Sequence, residues 1–126
     1  MKKLSSAQYR PCIIYAIQGG EGGPVKIGYC REGALNDRLA SLQVGNPNFL
    51  KVRKKVHAQW LHEGRLHNEI QSHFIRGEWY QADALIRFQE LIASDFFAPV
   101  DVPENAKGML AAYLRSCNLR RNRRAA

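Results

Sequence analysis

The chain has 126 residues, 45% of them hydrophobic, with a formal net charge of +8. That length suits one domain with its own core, and that composition excludes a disordered protein. No stretch of about 18 apolar residues occurs, so no membrane-spanning helix is expected, and the charge favours a polyanionic partner, nucleic acid first.

The start, MKKLSSAQYRP, is basic but lacks the apolar core of a signal peptide, so a cytoplasmic location is expected. Residues 1–11 read as an N-terminal arm. Residues 12–18, CIIYAIQ, are β-branched and aromatic and predict a strand. GGEGGP follows; four glycines and a proline predict a turn. VKIGY, 25–29, predicts a second strand, antiparallel to the first. Leu35, Leu39 and Leu42 share one face of a helix over 34–44, which Asn46-Pro47 ends. FLKVRKKVHAQW, 49–60, alternates through Leu50, Val52, Lys54 and Val56 and predicts a third strand with a basic outer face.

Leu66, Ile70 and Phe74 are in phase for a helix over 61–75, broken by GEWY at 77–80. A further helix is expected over 82–94. FFAPVDVPEN is then a linker or a packed arm, and 104–117 is expected to form a last helix. Residues 12–95 therefore read as the domain, 96–117 as linker and C-terminal helix, and 118–126 as a disordered basic tail. The order β-β-α-β-α-α predicts an α+β fold, a small sheet with helices beside it. Cys12, Cys30 and Cys117 are widely spaced, form no zinc pattern and read as reduced thiols, with Cys12 buried.

Charge is uneven. Residues 1–60 carry ten basic and three acidic residues, a balance of +7; residues 61–95 carry three and six, or −3; residues 96–126 carry six and two, or +4. Several side chains could serve phosphodiester chemistry, which needs an activated nucleophile, a neutralised phosphate and a stabilised leaving oxygen. Arg38 offers a fork of donors for phosphate. Glu63 and His67 lie four apart, on one helix face. Glu63 suits either the positive end of its helix or a divalent cation, which takes oxygen ligands. Tyr15 suits either the edge of a core or a proton-transfer role. Glu78-Trp79-Tyr80 suits a turn anchored by aromatic burial.

The succession IYAI, VKIG, RLASLQVGNP, E-x-x-LH and F-x-x-GEWY resembles the GIY-YIG nuclease superfamily, in the branch of phages, large DNA viruses and bacteria whose second signature reads KIG. The resemblance covers about residues 12–80. It implies a three-stranded antiparallel sheet flanked by helices, to which this chain adds a C-terminal helix and a basic tail. It also implies a catalytic set of Tyr15, Lys26, Arg38, Glu63 and His67, with Glu63 holding Mg²⁺ or Mn²⁺, and turn positions at Gly28, Glu78 and Trp79. Two departures stand out: Ile13 replaces the first glycine, and Lys26 replaces the second tyrosine.

The implied activity is metal-dependent hydrolysis of DNA, with Tyr15, or else His67, taking a proton from the attacking water. Lys51, Arg53, Lys54 and Lys55 are expected to contact the DNA backbone, joined by Arg120 and Arg121, with Arg123 and Arg124, from the tail. A DNA-binding module with little or no cleavage and a phage-type protein-interaction factor are the competing readings. Oligomeric state stays open.

Overall fold

The computed structural model describes residues 6–104 together with Lys107, Ala111 and Arg115. A 3₁₀ turn, Ser6–Tyr9, leads into β1 (Pro11–Gly19) and β2 (Val25–Cys30). Helix α1 (Leu35–Gln43), strand β3 (Leu50–Gln59) and helix α2 (Leu61–Glu69) follow. A second 3₁₀ turn, Gln71–His73, precedes the short strands β4 (Phe74–Arg76) and β5 (Trp79–Tyr80), and α3 spans Ala84–Ala93. The α+β class is as expected. The sheet is larger than expected: it has five strands in the order β3-β1-β2-β5-β4, every pair antiparallel, where the sequence predicted three.

Strand β4 begins in the segment expected to end a helix, and β5 lies in the GEWY expected to break that helix. Helix α2 stops at Glu69, and Ile70 leaves helical geometry at φ −107°, ψ 14°. Phe74 then lies in β4, 43% exposed, although its spacing from Leu66 and Ile70 fits one helix face. Gly77, at φ 58°, sits in the left-handed region and turns β4 into β5. The β-formers Phe74, Ile75, Trp79 and Tyr80 flank that glycine, so the hairpin outcompetes another helical turn.

Strand β1 lies inside the sheet and is buried from Cys12 to Gln18, because helices cover both faces. On one face Cys12, Ile14 and Ala16 join Val25 and Ile27 of β2, Leu66 and Ile70, and Phe88 and Leu91 of α3. On the other, Ile13, Tyr15 and Ile17 join Cys30 and Leu50 under Leu35, Leu39 and Leu42 of α1. Ile14 and Ile17 are fully buried, and each contributes about 1.5–3 kcal/mol by leaving water. Phe97 is also buried in the first cluster, and Val100 and Val102 pack on Tyr9 and Leu61, so 96–102 lies against the body as an arm. Most of the expected helix over 104–117 and all of the tail, with Arg120 and Arg121, lie outside the described residues.

A bulge in β3 decides where its cations point. Ala16 faces Lys54 and Ile17 faces Val52, so Arg53 is the extra residue. Upstream of it Leu50 and Val52 face α1; downstream Val56 and Ala58 face α2 and α3. The expected single basic face is therefore split. Lys55, opposite Tyr15, is on the α1 side, while Lys51, opposite Gln18, and Lys54 are on the other. As β3 is an edge strand, these charges also guard it against pairing with another chain.

Candidate phosphate-binding cleft

Strand alternation and one helix assemble the cleft. Tyr15 of β1 stands opposite Gly28 of β2, and Lys26 opposite Ile17, so Tyr15, Lys26 and Gly28 share the face under α1. Helix α1 brings Arg38 over that face. Tyr15, Lys26 and Arg38 line one cleft of about 470 Å³ with Arg10, Arg31 and Glu78. Four cationic side chains thus surround one carboxylate there, among the described residues.

Gly28 creates room at the bottom. A Cβ on it would lie 2.7 Å from the Tyr15 hydroxyl oxygen and 3.2 Å from Glu78 Oε2. The absence of a side chain lets the phenol and the carboxylate meet over the same backbone atom. Lys26 Nζ donates to Glu78 Oε2 at 3.2 Å and lies 5.8 Å from the centre of the Trp79 ring. Arg10 stacks over Trp60 and Tyr29 at 4.7 and 5.6 Å, which holds its guanidinium at the rim.

Burial pushes the Tyr15 phenol up to about 12; the Arg38 guanidinium opposes the rise, and the Glu78 and Glu63 carboxylates add to it. Tyr15 therefore keeps its proton at neutral pH. In this state its hydroxyl is a hydrogen-bond donor. Burial also raises the Cys30 thiol, against the pull of Arg38, so Cys30 lines the cleft as an inert thiol.

Glu63 and His67 do not line this cleft. They form a separate group with Tyr80, and the Glu63 charge still reaches Tyr15. His67 Nε2 lies 3.4 Å from Glu63 Oε1, and His67 Nδ1 shares a short hydrogen bond with the Tyr80 hydroxyl. The partners set the tautomer: the carboxylate calls for a proton on Nε2, which leaves Nδ1 to accept from Tyr80. Burial, with the charges of Glu78 and Glu63, raises the Tyr80 phenol and keeps it a donor. The second Glu63 oxygen, Oε2, is buried and has no hydrogen-bond partner.

Glu78 lies in the β4–β5 turn, as expected, and also lines the cleft, whereas Gly28 and Trp79, expected at turns, lie in strands β2 and β5. The Glu78 backbone carbonyl accepts from Ile27 N–H at 3.0 Å, and Trp79 pairs with Lys26, so the turn leading into β5 delivers the carboxylate to the cleft. Arg10 and Arg31 were not anticipated; their positions just before β1 and just after β2 are the signal that could have found them. Lys55 is exposed on the cleft's side of the sheet. No helix among the described residues is long and apolar enough to cross a membrane. No protein-family model matches the chain, and no curated protein or solved structure matches it significantly.

Proposed function

We propose that the protein is a metal-dependent endonuclease that hydrolyses phosphodiester bonds in DNA. The observation that carries this reading is the convergence of Tyr15, Lys26 and Arg38, from two strands and a helix, in one cation-rich cleft. These are three of the positions that the GIY-YIG resemblance marks as functional. The resemblance supplies the reaction type; the geometry supplies a place with the right charge for it.

A phosphodiester carries one negative charge and two exposed oxygens. Arg38 can grip both oxygens through its planar fork, and Lys26 adds a point charge. The protonated Tyr15 hydroxyl donates to a phosphate oxygen or to the attacking water. In a cleft walled by buried Tyr15 and Cys30 these donors are worth more against developing charge than they would be in water. Arg10 and Arg31 at the rim would hold the flanking backbone, which gives affinity without sequence reading.

Glu63 fits the role of metal ligand. A buried carboxylate oxygen with no hydrogen-bond partner leaves a lone pair for a hard cation, and Mg²⁺ or Mn²⁺ is often held by one carboxylate plus waters. When bound, such an ion supplies charge neutralisation at the phosphate. His67, held between Glu63 and Tyr80, orients the Glu63 carboxylate.

One observation favours a binding module with little cleavage. The cleft lysine is engaged by the chain's own Glu78, which a phosphate would have to displace. Incubation with supercoiled plasmid separates the two readings. The nuclease account expects nicking in Mg²⁺ or Mn²⁺ that EDTA stops and Glu63→Ala abolishes. Salt-sensitive DNA binding without nicking, in both proteins, would instead establish the binding module.

A further inference from the structure

We propose that Glu78 is a catalytic carboxylate of this cleft, the group that takes the proton from the water attacking a bound phosphodiester; the assignment rests on the nuclease reading above. Among the described residues it is the one carboxylate lining the cleft with Tyr15, Lys26 and Arg38. Its backbone is fixed, since its carbonyl accepts from Ile27 N–H at 3.0 Å and the next residue pairs with Lys26. Its Oε2 shares the space above Gly28 with the Tyr15 hydroxyl and lies 3.2 Å from Lys26 Nζ. The Glu78 side chain is 44% exposed and that of Lys26 17%, so the carboxylate keeps contact with the solvent that supplies the nucleophile.

The other bases nearby are engaged. Tyr15 holds its proton up to about pH 12. Lys26 points at Glu78 as a donor. Glu63 and His67 face each other, with Tyr80 on the far nitrogen, outside the cleft lining. Glu78 is tied to one cation, Lys26, that substrate can take over. A phosphate oxygen arriving at Lys26 displaces Glu78 Oε2 and frees the carboxylate as the substrate seats. Binding and base release are thereby coupled.

The step balances without a further reactant. Glu78 accepts one proton of the water, and the water oxygen forms the new bond to phosphorus. The bond from phosphorus to the 3′-oxygen breaks, its electron pair stays on that oxygen, and solvent protonates it. The products are a 5′-phosphomonoester and a 3′-hydroxyl, with no change in oxidation state.

The test compares wild type, Glu78→Gln and Glu78→Asp by single-turnover cleavage of a labelled duplex and by DNA affinity, with thermal melting as a check on folding. Glu78→Gln is expected to bind DNA as tightly as wild type or more tightly, having lost a competing anion, while its cleavage rate falls by about 100-fold or more. Glu78→Asp is expected to recover part of the rate. Wild-type cleavage with an equally active Glu78→Gln overturns this assignment alone. A loss of rate matched by a loss of affinity and melting temperature, with no recovery in Glu78→Asp, also overturns it. A wild-type protein that cleaves nothing overturns the nuclease reading, and this assignment with it.

Discussion

Replacing Gly28 with alanine tests the packing beneath the cleft. The added Cβ would lie 2.7 Å from the Tyr15 hydroxyl oxygen and 2.9 Å from its Cζ. Such atoms rest at about 3.5 Å, so the phenol must retreat by roughly 0.6–0.8 Å. It has little room to do so, because Tyr15 is 1% exposed and packed in the second core cluster. Overpacking of this kind costs about 1–3 kcal/mol. The strand itself would gain about 0.5–1 kcal/mol from alanine, since Gly28 has no left-handed φ to protect. At mid-range values the net loss is about 1 kcal/mol, a drop in melting temperature of roughly 3–6 °C for a chain of this length. Gly64→Ala is the internal control. Gly64 lies in α2 with nothing within 4 Å of its added Cβ, so alanine should stabilise by about 0.5–1 kcal/mol. Thermal melts of the two variants against wild type give the answer. A Gly28→Ala protein as stable as wild type, or more so, would refute the placement of Tyr15 over Gly28.

Alkaline titration checks the Tyr15 environment. Its folded phenol titrates near 12 and an unfolded one near 10, so this contribution to stability is intact below pH 10 and fades as pH rises from 10 to 12. Tyr15→Phe should remove that part of the alkaline loss; an unchanged profile would contradict the shift. Leu66→Ala should cost about 2–5 kcal/mol in a denaturant melt, because Leu66 is fully buried between the sheet and α3. Gln59 donates to the carbonyls of Tyr9 and Val100 and accepts from Val100 N–H, at 3.2, 2.9 and 2.7 Å. Gln59→Ala should therefore cost about 1–3 kcal/mol and expose the 96–102 arm to protease before the rest of the chain; equal resistance in variant and wild type would show that the arm is held by its apolar contacts alone.

The first half of the fold was legible because its signals are local and long. CIIYAIQ and VKIGY around a run of glycines can make little but a hairpin, and β1 and β2 form one. The second half misled because β4 and β5 are three and two residues long, too short to show alternation. The spacing Leu66, Ile70, Phe74 carried the helical period past its true end. The same limit hid half of the cleft. Tyr15, Lys26 and Arg38 lie close in sequence and were singled out from it. Glu78 meets Lys26 from 52 residues away, through a β2–β5 pairing that no local pattern announces. The split of the β3 cations is likewise a product of one bulge at Arg53, which strict alternation from Leu50 to Val56 does not foresee.

The most direct test of the central claim, that the Tyr15–Lys26–Arg38 cleft is where DNA is cut, is single-turnover cleavage of a labelled duplex by wild type, Arg38→Ala and Lys54→Ala. Arg38 lines the cleft, while Lys54 lies on the opposite side of the sheet. The account predicts metal-dependent cleavage by wild type, a loss of about 100-fold or more in Arg38→Ala at saturating protein, and an unchanged saturated rate in Lys54→Ala. Cleavage by Arg38→Ala at the wild-type rate, or no cleavage by wild type at all, would contradict it.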